Sequence, residues 1–433
     1  MHSFTDELKF RLAALREQNL FRELRRVDSA QGPRLEIGGR TFLNFSSNDY
    51  LGLANHPDLK TAALKAVETY GAGAGASRLV CGSLAPFHKL EEALATFKKT
   101  EAALVFSTGY AAALGAICAL VGKEDVIILD KLVHACIVDA ARLSGAKLRI
   151  FDHNDLNDLE DKLKWATGKF RTQNPKSRAL IVTESVFSMD GDRAPLREIA
   201  ALKEKYGAWL MVDEAHATGI IGQHGRGLAD ELGVGHQIEI QMGTLGKAFG
   251  ASGGYICGSR VLVDFLVNRA RSFIFSTAPV PAAAAAATAG IQIAQSAEGE
   301  TRRKNLFKRV NELTAKLKLK NLKPGSAIIP LILGDESVAI DAAAKLHSQN
   351  IFVPAIRYPT VARHAARLRI TLTAAHSAAD VESLCLALHS IRPSERLASR
   401  AAETVSPSPG GEGLPRAESR GRGEGGRQNQ KRN

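Results

Sequence analysis

The few cysteines of this sequence show no regular spacing. Five cysteines are scattered over its 433 residues without any C-x-x-C pair: Cys81, Cys118, Cys136, Cys257 and Cys385. An odd set without a common spacing predicts neither a disulfide framework nor a zinc site. The H-E-x-x-H spacing is also missing, so we expect no metal centre. Reduced thiols are the simplest interpretation, and we expect a cytoplasmic protein.

Long apolar segments are scarce as well. The first ten residues, MHSFTDELKF, are charged from Asp6 onward, so we expect no secretory leader. The uncharged stretch Ala102–Gly122 is long enough to cross a bilayer, but Ser107, Thr108 and Gly109 interrupt it. These polar turn residues favour a strand, a loop and a helix start over a membrane span.

The end of the chain lacks aromatic residues. Residues 393–433 are rich in Pro, Gly, Ser and Glu, and eight Arg or Lys against five Glu give them a charge of +3. This composition predicts a disordered basic tail, because it cannot bury enough surface to fold. The net charge of +12 would favour binding to nucleic acid. Glutamates interrupt the basic charge of the RGRGEGGR stretch, so we expect no nucleic-acid partner. A nucleic-acid-binding protein remains the remote alternative.

Seven apolar runs typical of strands alternate with helix-length segments in the middle of the chain. They are Ala103–Phe106, Val126–Leu129, Lys147–Phe151, Ala179–Glu184, Trp209–Asp213, Ile238–Gln241 and Gly254–Cys257. This alternation predicts an α/β fold, with a mostly parallel sheet and helices on both of its faces. Ligands of such sheets gather at the carboxyl ends of the strands.

The chain divides into four predicted parts. An N-terminal helical arm with small strands covers 1–45, a large domain 46–290, a small C-terminal α+β domain 291–392, and the tail 393–433. Within the arm, the first 27 residues predict an amphipathic helix, with Phe4, Leu8, Leu12 and Leu15 on one side.

Glycine and polar residues follow three of the predicted strands. Gly109 and Tyr110 stand between a strand and an Ala-rich helix, where free N–H groups and the helix dipole suit a phosphate. His134 follows the next strand, and its position alone favours a capping or surface role. Ser185 follows the fourth strand and precedes a turn at Asp190.

The stretch LMVDEAHATG, residues 210–219, places Asp213 and His216 after the fifth strand. A buried, unpaired carboxylate there would lose several kcal/mol of hydration, so we expect a cationic partner. The letters DEAH also occur in a helicase family, which needs G-x-x-x-x-G-K-[ST]. That loop is missing, because Ala248 follows Lys247, and the helicase interpretation is excluded.

Lys247 lies in the small-residue segment MGTLGKAFGASGG, together with Thr244. Burial of a lysine lowers its pKa and suits it to forming a Schiff base, although an exposed glycine-rich turn is the alternative. A sheltered lysine, a carboxylate, a histidine and a phosphate cradle are the parts that pyridoxal 5′-phosphate needs.

Five segments then resemble a known family. They are NFSSNDYLGL (44–53), VFSMDGDRAPL (186–196), VDEAHATG (212–219), TLGKAFG (244–250) and RLRITLTAAHS (367–377). The sequence is similar over about residues 10–392 to the α-oxoamine synthases, which are pyridoxal-phosphate enzymes of the aminotransferase-like fold type I. The resemblance implies this cofactor, a homodimer with active sites at the subunit interface, and cofactor binding by the 46–290 domain.

The resemblance also implies roles for the strand-end residues. Lys247 would bond covalently to the cofactor, and Asp213 would pair with the protonated ring nitrogen. His216 and Ser185 would hydrogen-bond the phenolic oxygen or its neighbours, and His134 would stack on the ring. We therefore expect catalytic roles for Lys247, His134, Asp213 and His216.

Further contacts follow from the same resemblance. Gly109, Tyr110 and Thr244 would hold the phosphate, and the FSTAPVP segment (275–281) would reach the partner subunit's phosphate. Arg369 would bind the amino-acid carboxylate, with Arg357 as the second candidate. The full set of expected substrate contacts is Arg22, Asn48, His134, Arg357, Thr360 and Arg369.

The expected reaction is a decarboxylative condensation. Within the family, the motifs favour L-alanine and pimeloyl-CoA, or a pimeloyl carrier protein, as a step of biotin biosynthesis. Glycine C-acetyltransferase is the main alternative, followed by 5-aminolevulinate synthase and serine palmitoyltransferase. An aminotransferase of the same fold is a further alternative.

Overall fold

The computed structural model describes residues 3–317 and 325–391. The predicted tail over 393–433 therefore lies outside the described residues. The described part contains thirteen strands: β1 Arg34–Ile37, β2 Arg40–Asn44, β3 Ala102–Phe106, β4 Val126–Asp130, β5 Lys147–Phe151, β6 Ala179–Glu184, β7 Trp209–Asp213, β8 Ile240–Thr244, β9 Gly254–Gly258, β10 Ile328–Gly334, β11 Ile351–Phe352, β12 Ala355–Ile356 and β13 Ala366–Thr371.

Helices connect most of these strands. They are α1 Phe4–Glu17, α2 Pro57–Tyr70, α3 Ala85–Lys98, α4 Gly109–Leu120, α5 Ala135–Ser144, α6 Leu156–Trp165, α7 Arg171–Gln173, α8 Leu196–Tyr206, α9 Leu228–Glu231, α10 Arg260–Arg269, α11 Arg271–Ile274, α12 Pro281–Gln295, α13 Ala297–Leu317, α14 Glu336–Ser348 and α15 Ala378–Ile391.

Seven strands form the central sheet, in the order β3-β9-β8-β7-β6-β4-β5. The five strands from β8 to β5 run parallel, and β9 lies antiparallel to both of its neighbours. This arrangement confirms the predicted α/β fold with a mostly parallel sheet. Parallel pairing also brings the carboxyl ends of β4, β6, β7 and β8 to one edge.

Both faces of this sheet are buried, because successive residues of each strand enter two different apolar clusters. Leu104 and Leu180 pack with the buried sides of α4, α5 and α10. Their neighbours Val105 and Ile181 pack with α3, α6, α8 and α12 instead. Burial on both sides explains why the strands are continuous apolar runs in the sequence.

The described residues also form two three-stranded sheets. β13 pairs antiparallel with β10 and β12. β1 and β2 form a hairpin, and β11 joins β2 in parallel, with Ile351 opposite Leu43. The N-terminal strands thus pair with a strand from the C-terminal region, which the sequence did not predict. The domain boundaries at residues 45, 290 and 392 stay predictions.

The structure corrects two local predictions. The strand expected at Ile238–Gln241 spans Ile240–Thr244 instead. A 3₁₀ turn at Gly235–Gln237 precedes it, and pairing with β9 extends it to Thr244. The first helix ends at Glu17, since Asn19 adopts a left-handed φ of 57°.

The predicted apolar side of α1 is not buried either. All of its residues, including Phe4 and Leu8, are exposed or only partly buried. The N-terminus of the helix is capped by Ser3, whose side chain accepts a hydrogen bond from the N–H of Asp6.

No helix among residues 3–317 and 325–391 is long and apolar enough to cross a membrane. The stretch Ala102–Gly122 folds into β3, a short turn and α4, as its polar residues predict.

Candidate active site

Four parallel strands end at one edge of the central sheet with a polar residue. These residues are Asp130 on β4, Glu184 on β6, Asp213 on β7 and Thr244 on β8. The β6–β7 register sets Glu184 directly opposite Asp213. The loop after β8 adds Lys247, so three carboxylates and one amine are concentrated at this edge.

Asp213 is a buried carboxylate that needs a cation. One of its oxygens accepts a hydrogen bond of 2.8 Å from the N–H of Ala215. Burial raises the pKa of Asp213, although the positive charge of Lys247 opposes the increase. A cationic ligand atom beside this carboxylate would stabilise its ionised form.

Lys247 and His216 form the next contact. The Nζ of Lys247 lies 2.8 Å from Nε2 of His216. Removal from water lowers the pKa of Lys247 to about 8, even though the charges of Asp213 and Glu184 oppose this. Burial, helped by the charge of Lys247, holds the pKa of His216 well below its usual range, so this imidazole is neutral. A lysine in this state has neutral, nucleophilic amine available near physiological pH.

Tyr50 extends this contact to Arg369. Its hydroxyl lies 2.7 Å from Nδ1 of His216 and 3.2 Å from Oδ1 of Asn48. Arg369 donates to Asn48 at 3.1 Å, to the Tyr50 hydroxyl at 3.4 Å, and through Nε to the carbonyl of Ser188 at 2.5 Å. Three of the five guanidinium N–H groups are used, and the remaining two can bind a carboxylate.

The start of α4 provides a cradle for an anion. The Thr108 side chain caps the helix by accepting a hydrogen bond of 3.0 Å from the N–H of Ala111. The N–H groups of Gly109 and Tyr110 have no intrahelical acceptor and remain available. Gly254 on β9 lies so close that a Cβ there would approach the Gly109 nitrogen to 2.5 Å, so the packing requires glycine.

Thr244 lies beside this cradle. A Cβ built on Gly109 would lie 3.7 Å from the Cβ of Thr244. The Thr244 hydroxyl donates to the carbonyl of Gly253 at 3.0 Å. The Tyr110 hydroxyl donates to Asp139 at 2.6 Å, so its side chain is engaged on α5 and its backbone faces the cradle.

His134 and Ser185 differ in how accessible they are. The Nδ1 of His134 caps α5 by accepting the N–H of Cys136 at 3.2 Å, and the residue is partly accessible to solvent. Desolvation by its surroundings lowers the pKa of His134, partly offset by Asp213. Ser185 is fully buried, and its hydroxyl donates to the carbonyl of Asp213 at 3.3 Å. That hydroxyl is therefore committed to the protein backbone.

Three predicted substrate residues form a separate group. Arg22 donates to the carbonyl of Tyr358 at 3.0 Å, and Thr360 lies on the exposed turn that follows. Arg357 donates to the carbonyls of Asn19 and Phe21. Because these contacts hold the N-terminal arm, Arg369 remains the better candidate for the amino-acid carboxylate.

The sequence prediction missed Tyr50, Glu184 and Ser188. Tyr50 and Ser188 lie inside two of the segments that carried the family resemblance, which was the available signal. Glu184 is the last residue of a predicted strand, and its buried Oε1 has no hydrogen-bond partner. Its importance appears only from the register that places it beside Asp213.

These groups fit pyridoxal 5′-phosphate. Asp213 offers a buried carboxylate for a protonated ring nitrogen, and Lys247 offers a neutral amine for an aldehyde. The open N–H groups of α4 match a phosphate. The donor set therefore matches all three ends of the cofactor.

Comparisons with known proteins agree. The family described as aminotransferase class I and II matches residues 40–388. The 8-amino-7-oxononanoate synthase of Geotalea daltonii is 47% identical over 387 residues, which cover 88% of this chain and 95% of that protein. The same-named protein of Geobacter sulfurreducens is 47% identical over 380 residues, covering 87% and 95%.

Solved structures show the same fold. A variant of the serine palmitoyltransferase from S. paucimobilis, with a bound PLP–myriocin aldimine, has a TM-score of 0.82 at 29% identity, covering 89% of this chain and 96% of that one. The fold and the site thus define a pyridoxal-phosphate enzyme of fold type I. The chain belongs to the class I and II aminotransferase family and, within it, to the 8-amino-7-oxononanoate synthases. Pyridoxal 5′-phosphate is its cofactor, as predicted, while the individual site residues stay predictions.

Proposed function

We propose that this enzyme condenses L-alanine with pimeloyl-CoA, or a pimeloyl carrier protein, to give 8-amino-7-oxononanoate, carbon dioxide and the free thiol. The reaction would serve biotin biosynthesis in the cytoplasm. The observation that carries the proposal is the hydrogen-bonded chain from Lys247 through His216 and Tyr50 to Arg369. It joins a reactive amine to a guanidinium with free donors, and the 47% identity to named synthases supports the same reaction.

The bound cofactor supplies an electron-withdrawing ring for the Cα of the amino acid. Asp213 holds a proton at the ring nitrogen, because a buried carboxylate and an adjacent cation stabilise each other. The N–H groups of Gly109 and Tyr110 bind the phosphate, assisted by the helix dipole. His134 is partly accessible to solvent, so its ring is available to stack on the cofactor.

Lys247 moves the proton in this proposal. Once its amine is free, a pKa of about 8 makes it a suitable base for the Cα proton near neutral pH. His216 orients the amine through the 2.8 Å contact. Arg369 binds the alanine carboxylate, which fixes the orientation of the amino acid relative to Lys247.

We also propose a homodimer with sites at the subunit interface. The bridge between Ser77 and Thr277 brings the exposed apolar residues Leu79, Val80 and Phe275 into neighbouring segments. Exposed apolar groups of this kind favour a protein interface. Light scattering of the purified enzyme should give the mass of two chains, and Val80→Asp should shift it toward one chain. A wild-type monomer that retains full activity would contradict this proposal.

The substrates are tested by comparing three pairs of amino acid and thioester. Holoenzyme receives L-alanine with pimeloyl-CoA, glycine with acetyl-CoA, or L-serine with palmitoyl-CoA, and thiol release and product mass are measured. We expect the largest kcat/KM for the first pair. A larger kcat/KM for the glycine pair would reassign the enzyme to glycine C-acetyltransferase.

Two alternatives have specific tests. Serine palmitoyltransferase is favoured by structural similarity, but its 29% identity is well below the 47% of the synthases. The L-serine pair tests it directly. Nucleic-acid binding through the basic tail is tested separately, by measuring RNA and DNA binding of the full chain and of a chain without residues 393–433. Loss of binding on deletion, with catalysis intact, would support that alternative.

A further inference from the structure

His153 forms a bridge between two carboxylates next to the active site. It lies two residues after the end of β5. Its Nδ1 lies 2.9 Å from Oδ1 of Asp130, and its Nε2 lies 2.8 Å from Oδ2 of Asp192. A neutral imidazole donates from one nitrogen only, so this arrangement requires the imidazolium.

The local electrostatics agree with that assignment. Burial by itself would lower the pKa of His153, but the hydrogen bonds and charges of Asp130 and Asp192 outweigh it and raise the pKa to about 10. The side chain of Asp130 is fully buried at the end of β4. The amide of Asn154 donates to the same Asp192 oxygen at 3.0 Å, and the Phe187 ring meets the imidazole edge-on at 4.3 Å.

Asp192 belongs to a tight hairpin, residues 186–193, which follows β6. A bridge joins Val186 to Arg193, and the N–H of Gly191 donates to the carbonyl of Phe187 at 2.8 Å. Gly191 has a φ of +74°, and a Cβ there would clash with the carbonyl of Ile328 at 2.4 Å. The hairpin is therefore a compact unit, and its contacts with neighbouring segments determine its position.

This hairpin supports the arginines of β13. The carbonyl of Ser188 accepts Nε of Arg369 at 2.5 Å. The carbonyl of Met189 and the carboxylate of Asp190 accept the guanidinium of Arg367 at 3.1 and 2.5 Å. A displacement of the hairpin would therefore displace Arg369.

We propose that His153 is a positioning residue for the amino-acid site: it ties hairpin 186–193 to the end of β4 and thereby fixes Arg369. This inference rests on the proposed role of Arg369 in binding the alanine carboxylate. His153 acts through the hairpin and does not itself contact the substrate.

The test uses the holoenzyme with His153→Phe, which keeps the ring and removes both hydrogen bonds, and Asp192→Asn, which removes one partner charge. His236→Gln is the matched control, because His236 is exposed and precedes β8 at the opposite edge of the sheet. Three quantities are measured: amide hydrogen exchange of residues 186–193, the L-alanine dissociation constant from visible absorption, and the KM for pimeloyl-CoA.

We expect faster exchange in the hairpin and about fivefold weaker alanine binding for His153→Phe, with the KM for pimeloyl-CoA changed less than about twofold. Asp192→Asn should act in the same direction, and His236→Gln should change neither quantity. Unchanged exchange, unchanged alanine binding, or an equal loss for both substrates would overturn the proposal. If His153→Phe does not fold, His153→Gln and Asp192→Asn decide the same question.

Arg369→Ala separates this inference from the proposed function. If this variant binds alanine as well as the wild type, the assigned role of Arg369 is wrong and with it the proposed positioning role. Hairpin exchange in His153→Phe still reports whether the bridge holds the hairpin. If Arg369→Ala loses alanine binding and His153→Phe does not, the proposed function stands and the positioning role is refuted.

Discussion

The Nζ of Lys247 and Nε2 of His216 are 2.8 Å apart, in a site where both groups have lowered pKa values. Burial is the main cause for each. The pKa of about 8 for Lys247, against an ordinary 10.5, increases its neutral fraction at pH 7 by roughly 300-fold. The contact therefore holds a reactive amine in a fixed direction.

The first prediction concerns the pH dependence of cofactor capture. Only the neutral amine attacks an aldehyde, and the neutral fraction rises as pH increases through the pKa. The rate at which apoenzyme gains its visible absorption band with pyridoxal phosphate should rise with pH and be half-maximal near pH 8. Lys247→Ala should gain no such band. A half-maximum near pH 10.5 would show that the lysine is solvated.

The second prediction concerns Asp213. In the proposed site Asp213→Asn would remove the charge that holds the proton on the ring nitrogen, so kcat should fall by about 100-fold or more. Asp264→Asn, on an exposed position of α10, should change kcat less than about twofold. Steady-state kinetics at saturating cofactor check both values.

The same Asp213→Asn variant has a distinct effect on stability. Burial raises the folded-state pKa of Asp213, so ionisation above its unfolded-state pKa destabilises the apoenzyme. The melting temperature of apo Asp213→Asn at pH 7 should therefore equal or exceed that of the wild type. A clear decrease would mean that the carboxylate has a stabilising partner.

The third prediction concerns Tyr50. Tyr50→Phe removes the hydroxyl that links His216 to Asn48 and Arg369, at a cost of about 1 kcal/mol, or roughly fivefold in alanine affinity. Absorption titration with L-alanine measures this change. Tyr206→Phe removes a hydroxyl bonded to Glu160 on the protein surface and should leave alanine affinity unchanged. Equal affinities for wild type and Tyr50→Phe would remove Tyr50 from the site.

The fourth prediction concerns the glutamate of the DEAH letters. Glu214 forms a fully buried ion pair with Lys98 and accepts the N–H of Ala229 at 3.0 Å. Lys98→Met leaves that charge uncompensated and should reduce the free energy of unfolding by about 3–5 kcal/mol. Lys164→Met removes an exposed pair with Asp161 and should cost less than about 1 kcal/mol. Urea unfolding measures both, and equal losses would contradict a structural role for Glu214.

The sequence located most of the sheet but fewer details of the site. Six of the seven predicted strands coincide with observed strands to within a residue at either end, because burial on both faces imposes apolar runs that are visible locally. β8 was misplaced because Gly243 is a poor strand former, and Gly243 and Thr244 gain their ladder partners from β9.

The apolar residues of α1 were predicted to share one side of the helix, but none of them is buried. Periodicity shows that a helix is amphipathic, and it does not show which segment covers the apolar side.

The sequence by itself determined the α/β architecture, the cofactor and the lysine, aspartate and histidine that follow the strands, because these depend on local composition and spacing. Only the tertiary structure decided that Tyr50 meets His216 across 166 residues of chain, that Glu184 lies opposite Asp213, and that His153 joins Asp130 to Asp192. Strand register and loop packing create these contacts, and neither is encoded in the neighbouring residues.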